Sequence, residues 1–145
     1  MTLQESAMEP TYSVSEKFFV NRALYKISSP KRGDVIVFKT SASDSAALHI
    51  RRVIGLPGET VQVKDGKIYI NGKVYEENGA YQDMTDGGLA NSAITLESGE
   101  YFVLGDNRNN SEDSRFSDIG NISKKYIVGK VWFTVSPKNK IGFIK

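Results

Sequence analysis

The chain of 145 residues contains no cysteine, which excludes disulfide frameworks, thiolate zinc sites and cysteine nucleophiles. His49 is its single histidine, too few to build a histidine metal cluster, so neither a metal nor a cofactor is expected. Apolar runs such as Val35–Phe38 and Val131–Phe133 span only a few residues, whereas a membrane-spanning helix needs roughly 20. The opening residues Met1-Thr2-Leu3-Gln4-Glu5 have neither the basic start nor the apolar stretch of a signal peptide. Charge of one sign is also in short supply: 19 Lys and Arg against 17 Asp and Glu leave +2, too little for a dedicated nucleic-acid binder. That total hides an uneven spread, with +4 over residues 1–73, −8 over residues 74–120 and +6 over residues 121–145. Such runs ordinarily solvate a surface, and a basic C-terminal segment would also suit anionic lipid.

What is present reads as one folded domain. Hydrophobic residues make up 39% and charged residues 25%, ordinary globular usage, and the length allows a sizeable core. Hydrophobicity alternates with period two along much of the chain, the pattern of half-buried strands, so the expected class is mainly β. Strands are expected at Phe18–Asn21, Asp34–Lys39, His49–Ile54, Thr60–Lys64, Lys67–Ile70, Glu100–Leu104, Lys130–Val135 and Ile141–Ile144. Asp65-Gly66 and Asn71-Gly72 supply the positive φ values of tight hairpins, predicting a meander that ends at Lys73-Val74-Tyr75. Residues 76–98 read as a long loop or small inserted hairpin. Ser41 to Ala47 reads as a mobile Ser/Ala connection, and Ser123 as the cap of one helical turn reaching Ile127. Trp132 and Phe133 are expected in the core, and Met8 either there or against a membrane.

Four segments carry more punctuation than packing requires: Ser6 to Thr11, Pro30 to Asp34, His49 to Glu59, and Gly105 to Arg115. The last has eleven consecutive residues without an aliphatic side chain. Asp113 with Arg115, and Asp106 with Arg108, are each spaced to form an ion pair that would stiffen such a loop. Residue types alone favour reading it as an ordered Asn-rich surface turn, with a functional loop left open.

Together the four segments resemble the type I signal peptidases, membrane-anchored serine proteases that remove signal peptides outside the bacterial membrane. Met8-Glu9-Pro10-Thr11 looks like the end of the family's Ser-Met-x-Pro-Thr motif, and Lys31-Arg32-Gly33-Asp34 like its Arg-Gly-Asp strand entry. Arg51 to Glu59 looks like its Lys-Arg-(x)2-Gly-Leu-Pro-Gly-Asp box, and Gly105 to Arg115 like its Gly-Asp-Asn-Arg-x-x-Ser-x-Asp-Ser-Arg signature. The resemblance, running from about Leu3 to the C-terminus, implies an antiparallel β-sheet or barrel-like fold over residues 1–145 and a Ser/Lys dyad. It also implies an anchor ahead of this segment, a place on the outer face of the cell membrane, and a signal peptide or pre-protein segment as partner. By the same resemblance, Ser111 would support the base, Asp113 and Arg115 would hold the loop, and Met8, Leu48, Ile50 and Val53 would line the groove. A peptide would pair with Leu48–Val53 as an edge strand.

The sequence departs from the family at both reacting positions. Ala7 stands where the family places its nucleophilic Ser, and Arg51 where it places the Lys general base. A methyl cannot attack a carbonyl. Burial can strip the proton from a lysine near neutral pH, but a guanidinium offers only donors and, with an ordinary pKa above about 12, stays charged. Ser6 is one residue out of place and would face away in an extended segment; no motif sets Lys39 or Lys64 beside residue 7. Glu5 replaces the Ser or Gly that relatives keep beside the oxyanion hole, where it would oppose negative charge unless it pairs with Arg51. Hydrolysis is therefore not expected. Three accounts stand: an engineered knockout of an active peptidase, a natural non-catalytic homologue assisting pilus or surface-protein assembly, and a Ser/Lys self-cleaving repressor domain, the last opposed by the absence of a DNA-binding segment.

Overall fold

The computed structural model describes residues 5–43, 46–136 and 142–143, with side chains described as far as residue 132. Short strands separated by tight turns dominate. They are β1 (Lys17–Asn21), β2 (Val35–Lys39), β3 (Leu48–Gly55), β4 (Thr60–Lys64), β5 (Lys67–Ile70), β6 (Lys73–Val74), β7 (Ile94–Thr95), β8 (Glu100–Leu104), β9 (Ile122–Ser123), β10 (Ile127–Ser136) and β11 (Gly142–Phe143). One helical turn, α1 (Leu24–Ile27), follows β1. Every pairing is antiparallel. The larger sheet runs β1-β10-β2-β3-β8-β9 with β11 beside β10, and the smaller runs β6-β5-β4-β7.

The turn chemistry explains the small sheet. Asp65 and Gly66 adopt φ of 53° and 77°, and Asn71 and Gly72 φ of 53° and 81°, as two-residue hairpins matched to strand twist require. Val61 pairs with Ile70 and Val63 with Ile68, and all four point into one core cluster with Ile54, Leu96 and Phe102. Gly55 sits against this cluster: a Cβ there would lie 2.6 Å from Val61 Cγ2 and 2.8 Å from Leu96 Cδ1.

Period two misleads in the large sheet. Val35 and Val37 of β2 enter one cluster with Met8, Tyr12, Phe18, Ile50 and Val131. Ile36 and Phe38 enter another with Val53, Tyr101, Val103 and Ile122. β2 is therefore covered on both faces rather than half-buried, and β8 likewise has four consecutive buried residues; a central strand with two packed faces reads as an unbroken apolar run.

Other expectations also change. Residues 76–98 hold a 3₁₀ turn at Gly88–Asn91 and the short β7, which returns to β4 at Thr60 and Val61. Ser123 precedes the 3₁₀ turn Lys124–Tyr126 without a side-chain capping bond. Trp132 is 39% exposed and packs beside the exposed Phe19, with ring centroids 6.3 Å apart, so it belongs to an outer face and not to the core. The Phe133 side chain and residues 44 and 45 of the Ser/Ala connection lie outside the described residues. So do Ile141 and Ile144, the ends of the last expected strand.

Candidate functional site

Three parts of the chain meet at one open recess: the segment Glu5-Ser6-Ala7, β3 at Arg51, and the polar loop after β8 with Asn109, Asn110, Ser111, Glu112 and Phe116. Register explains the opening. β2 pairs with β3 over Leu48 to Arg52, but β8 joins β3 only from Arg52 onward. Among the described residues, Leu48–Arg51 is thus paired along one side alone, leaving a strand edge beside Ala7.

The polar loop holds the N-terminal segment by its backbone. The Asn107 N–H donates to the Ala7 carbonyl at 2.8 Å, its side-chain amide donates to the Ser6 carbonyl at 3.1 Å, and the Asn110 amide reaches Ser6 Oγ at 3.1 Å. Met8 follows as a buried plug whose Sδ accepts the Asp106 N–H at 3.4 Å. Gly105 is required at this junction, because a Cβ would stand 2.6 Å from the Ala7 carbonyl oxygen and collide with the Ser111 hydroxyl.

Consecutive residues on a strand face opposite ways, and the two arginines of β3 find different partners. Arg51, 1% exposed, donates through Nη1 to Glu5 Oε1 at 2.5 Å and to the Ile50 carbonyl at 2.7 Å, and through Nε to the Glu112 carbonyl at 2.7 Å. Its Nη2 lies 3.3 Å from Glu5 Oε2. Arg52 turns away and clamps Asp106 with bonds of 2.9 and 2.7 Å, also donating to the Gly33 carbonyl at 2.8 Å. Arg32 grips Glu59 with two bonds of 2.6 and 2.8 Å, which holds the Glu59 carboxyl below its usual range and ties the strand entry to the Gly-Leu-Pro-Gly turn.

Ser111 donates to Asp113 Oδ2 at 2.9 Å, and the same carboxylate is held by Arg115 at 2.8 and 2.9 Å and by the Gly105 N–H at 3.1 Å. Arg115 then donates to the Arg108 and Asp86 carbonyls, fixing the loop from inside. Asp106 and Arg108 do not pair with each other: Asp106 belongs to Arg52, and Arg108 forms two bonds of 2.5 and 2.7 Å with Glu77 while lying 4.2 Å from the Tyr81 ring centroid.

The structure brings Ala7, Arg51, Glu5 and Ser111 to the recess, with Asp113 and Arg115 behind it. It does not bring three of the four expected groove residues there. Met8 and Ile50 belong to one core cluster and Val53 to another, each at most 2% exposed, because a strand inside the large sheet buries both faces; Leu48 alone is exposed. Neither lysine weighed as a substitute base lines the recess. Lys39 faces Ser41, Lys125 and Tyr126, and Lys64 lies over the Tyr69 ring on the small sheet. Sequence reasoning missed Asn107, Asn110 and the Arg52–Asp106 clamp, although adjacent arginines on a strand signal that two separate partners are needed.

The structure defines the class as an antiparallel β domain in which an N-terminal segment, a strand edge paired on one side among the described residues and a polar loop converge on one open cleft. Comparisons make the assignment specific. The family model described as signal peptidase, peptidase S26, matches residues 1–136, and the chain belongs to this family. It is 32% identical over 151 residues to the probable signal peptidase I-2 of Synechocystis sp., covering 98% of this chain and 65% of that protein. It is 36% identical over 146 residues to signal peptidase I T of Bacillus subtilis, covering 96% and 74%. The crystal structure of a signal peptidase I from Enterococcus faecalis V583 matches with a TM-score of 0.54 and 33% identity, covering 72% of this chain and 97% of that one. The chain thus spans about two thirds of the length of the first relative.

Proposed function

We propose that this chain is a hydrolytically inactive member of the signal peptidase family that holds an extended segment of an exported protein without cutting it. The observation that carries the reading is the buried Arg51 guanidinium, bound to Glu5 and to two backbone carbonyls. A general base must accept a proton from the nucleophile within hydrogen-bond reach, and this group only donates. Across the recess, the Ala7 side chain supplies no oxygen, the Ser6 hydroxyl beside it accepts from the Asn110 amide, and among the described residues lining the recess there is neither a lysine nor a histidine.

The Glu5–Arg51 pair also favours a natural loss over a laboratory knockout. Replacing a nucleophilic serine by alanine inactivates an enzyme alone and needs no companion, whereas here the cation at the base position has a matching carboxylate 46 residues earlier. A co-adapted pair of this kind supports an interaction protein, in the manner of factors assisting pilus or surface-protein assembly. The domain would sit at the outer face of the cell membrane through an anchor preceding it; among the described residues no helix is long and apolar enough to cross a membrane.

The test is cleavage of a pre-protein with a small-x-small site, alongside fluorescence anisotropy of the corresponding labelled peptide. Binding without turnover is expected. Turnover well above buffer by the chain as it stands would overturn the inactive reading, and absence of any peptide binding would overturn the holding role.

A further inference from the structure

The charge asymmetry of the sequence is resolved by the fold into one surface. Seven cations among the described residues have carboxylate partners: Arg32, Arg51, Arg52, Lys67, Arg108, Arg115 and Lys130. Five that have no carboxylate within ion-pair distance among the described residues come together from three separate stretches of chain. Arg22 precedes α1 and Lys26 lies within it, Lys39 ends β2, and Lys124 and Lys125 lie in the 3₁₀ turn that leads into β10. They line two adjoining recesses that share Lys125, Ile127 and Val128, and among the described residues no carboxylate lines either one. The sheet order explains the meeting, since β10 lies between β1 and β2. Asp34 is close in sequence but already taken, accepting from the Tyr25 hydroxyl at 2.7 Å and from Lys130 at 3.3 Å.

We infer that this rim, made of Arg22, Lys26, Lys39, Lys124 and Lys125, docks the chain against a bilayer surface carrying anionic phosphate headgroups. Three observations favour a lipid surface over other polyanions. Ile27 is 89% exposed at the end of α1 beside Lys26, an apolar side chain set among cations, as interfacial segments present to the headgroup layer. Four of the five cations are lysines, mobile point charges suited to a fluid headgroup layer and without the fixed fork that reads a rigid phosphate pair. The whole chain carries only +2, too little to favour attraction along the length of a nucleic acid. The inference is independent of the reading of the recess, which contains none of these residues.

The test is flotation of the 145-residue chain with vesicles of phosphatidylcholine alone or with 30 mol% phosphatidylglycerol. Binding is expected only with phosphatidylglycerol, and is expected to weaken between about 50 and 500 mM NaCl as the Debye length shrinks. Replacing Lys26, Lys124 and Lys125 by Gln is expected to weaken it about tenfold or more, and Ile27→Ser to weaken it at low salt. Replacing Lys64, Lys67 and Lys73 on the small sheet removes the same formal charge and is expected to leave binding nearly unchanged. Circular dichroism confirms that each variant is folded. Equal binding to both vesicles would overturn the inference, as would equal loss in the two triple variants. Loss confined to a Lys138, Lys140 and Lys145 triple would also overturn it. Abolition of binding by millimolar inorganic phosphate at constant ionic strength would reassign the rim to a soluble anion.

Discussion

Restoring the reacting pair should fail while Glu5 remains, and the size of that failure follows from geometry. In an Ala7→Ser, Arg51→Lys double variant the new amine lies near the carboxylate that now holds the guanidinium at 2.5 Å. Two unit charges ~4 Å apart at an effective dielectric of ~20 attract by about 4 kcal/mol. The Glu5 side chain is 35% exposed, so solvent screening lowers this to roughly 1–3 kcal/mol. At ~1.36 kcal/mol per unit, the carboxylate raises the lysine pKa by about 1–2 units. The sign is unfavourable for catalysis: a base must be neutral, and raising its pKa empties the neutral form at a given pH. A triple variant that adds Glu5→Ser should therefore cleave a pre-protein about 10- to 100-fold faster than the double at pH ~8. The rising limb of its pH–rate curve should lie about 1–2 units lower. Cleavage by Ala7→Ser alone, or equal rates and equal limbs in the double and triple variants, would refute the assignment of Glu5 and Arg51.

Three further perturbations probe the scaffold. Asp113→Ala leaves the Arg115 guanidinium, 2% exposed, without its carboxylate, and should cost about 3–5 kcal/mol in urea unfolding; a loss under 1 kcal/mol would contradict the buried pair. Gly55→Ala forces a methyl against Val61 and Leu96 and should cost about 1–3 kcal/mol, whereas Gly33 and Gly58 have open space around the same position. Burial pushes the His49 imidazole below its ordinary 6.5, with the Glu5 carboxylate opposing and the Arg51 cation adding to the shift. The unfolded chain then takes up the proton first as pH falls, so stability should decline below pH ~6.5. His49→Gln should flatten that part of the melting profile; identical slopes would dismiss the imidazole as its source.

The strands were legible because each is short and bounded by residues with turn chemistry of their own. Thr60–Lys64, Lys67–Ile70 and Glu100–Leu104 have the same limits in sequence and structure, since Asp-Gly and Asn-Gly fix hairpin registers locally. Partners across the fold were not legible. Arg108 bonds Glu77, 31 residues away in a stretch with no pattern, in place of its neighbour Asp106. Ile50 and Val53 gave no sign of facing the core, because alternation fails where both faces of a sheet are packed, whereas the core was one of two places open to Met8 and is where it lies.

Composition alone determined that residue 7 carries no nucleophile and that residue 51 carries a guanidinium, because these are properties of the side chains and travel with them wherever the chain folds. Only the tertiary structure decided what surrounds that cation. Glu5 and Arg51 are 46 positions apart, and no local period relates them. They meet because β8 leaves Leu48–Arg51 unpaired along one side and the Asn107 and Asn110 amides hold the N-terminal segment beside that opening.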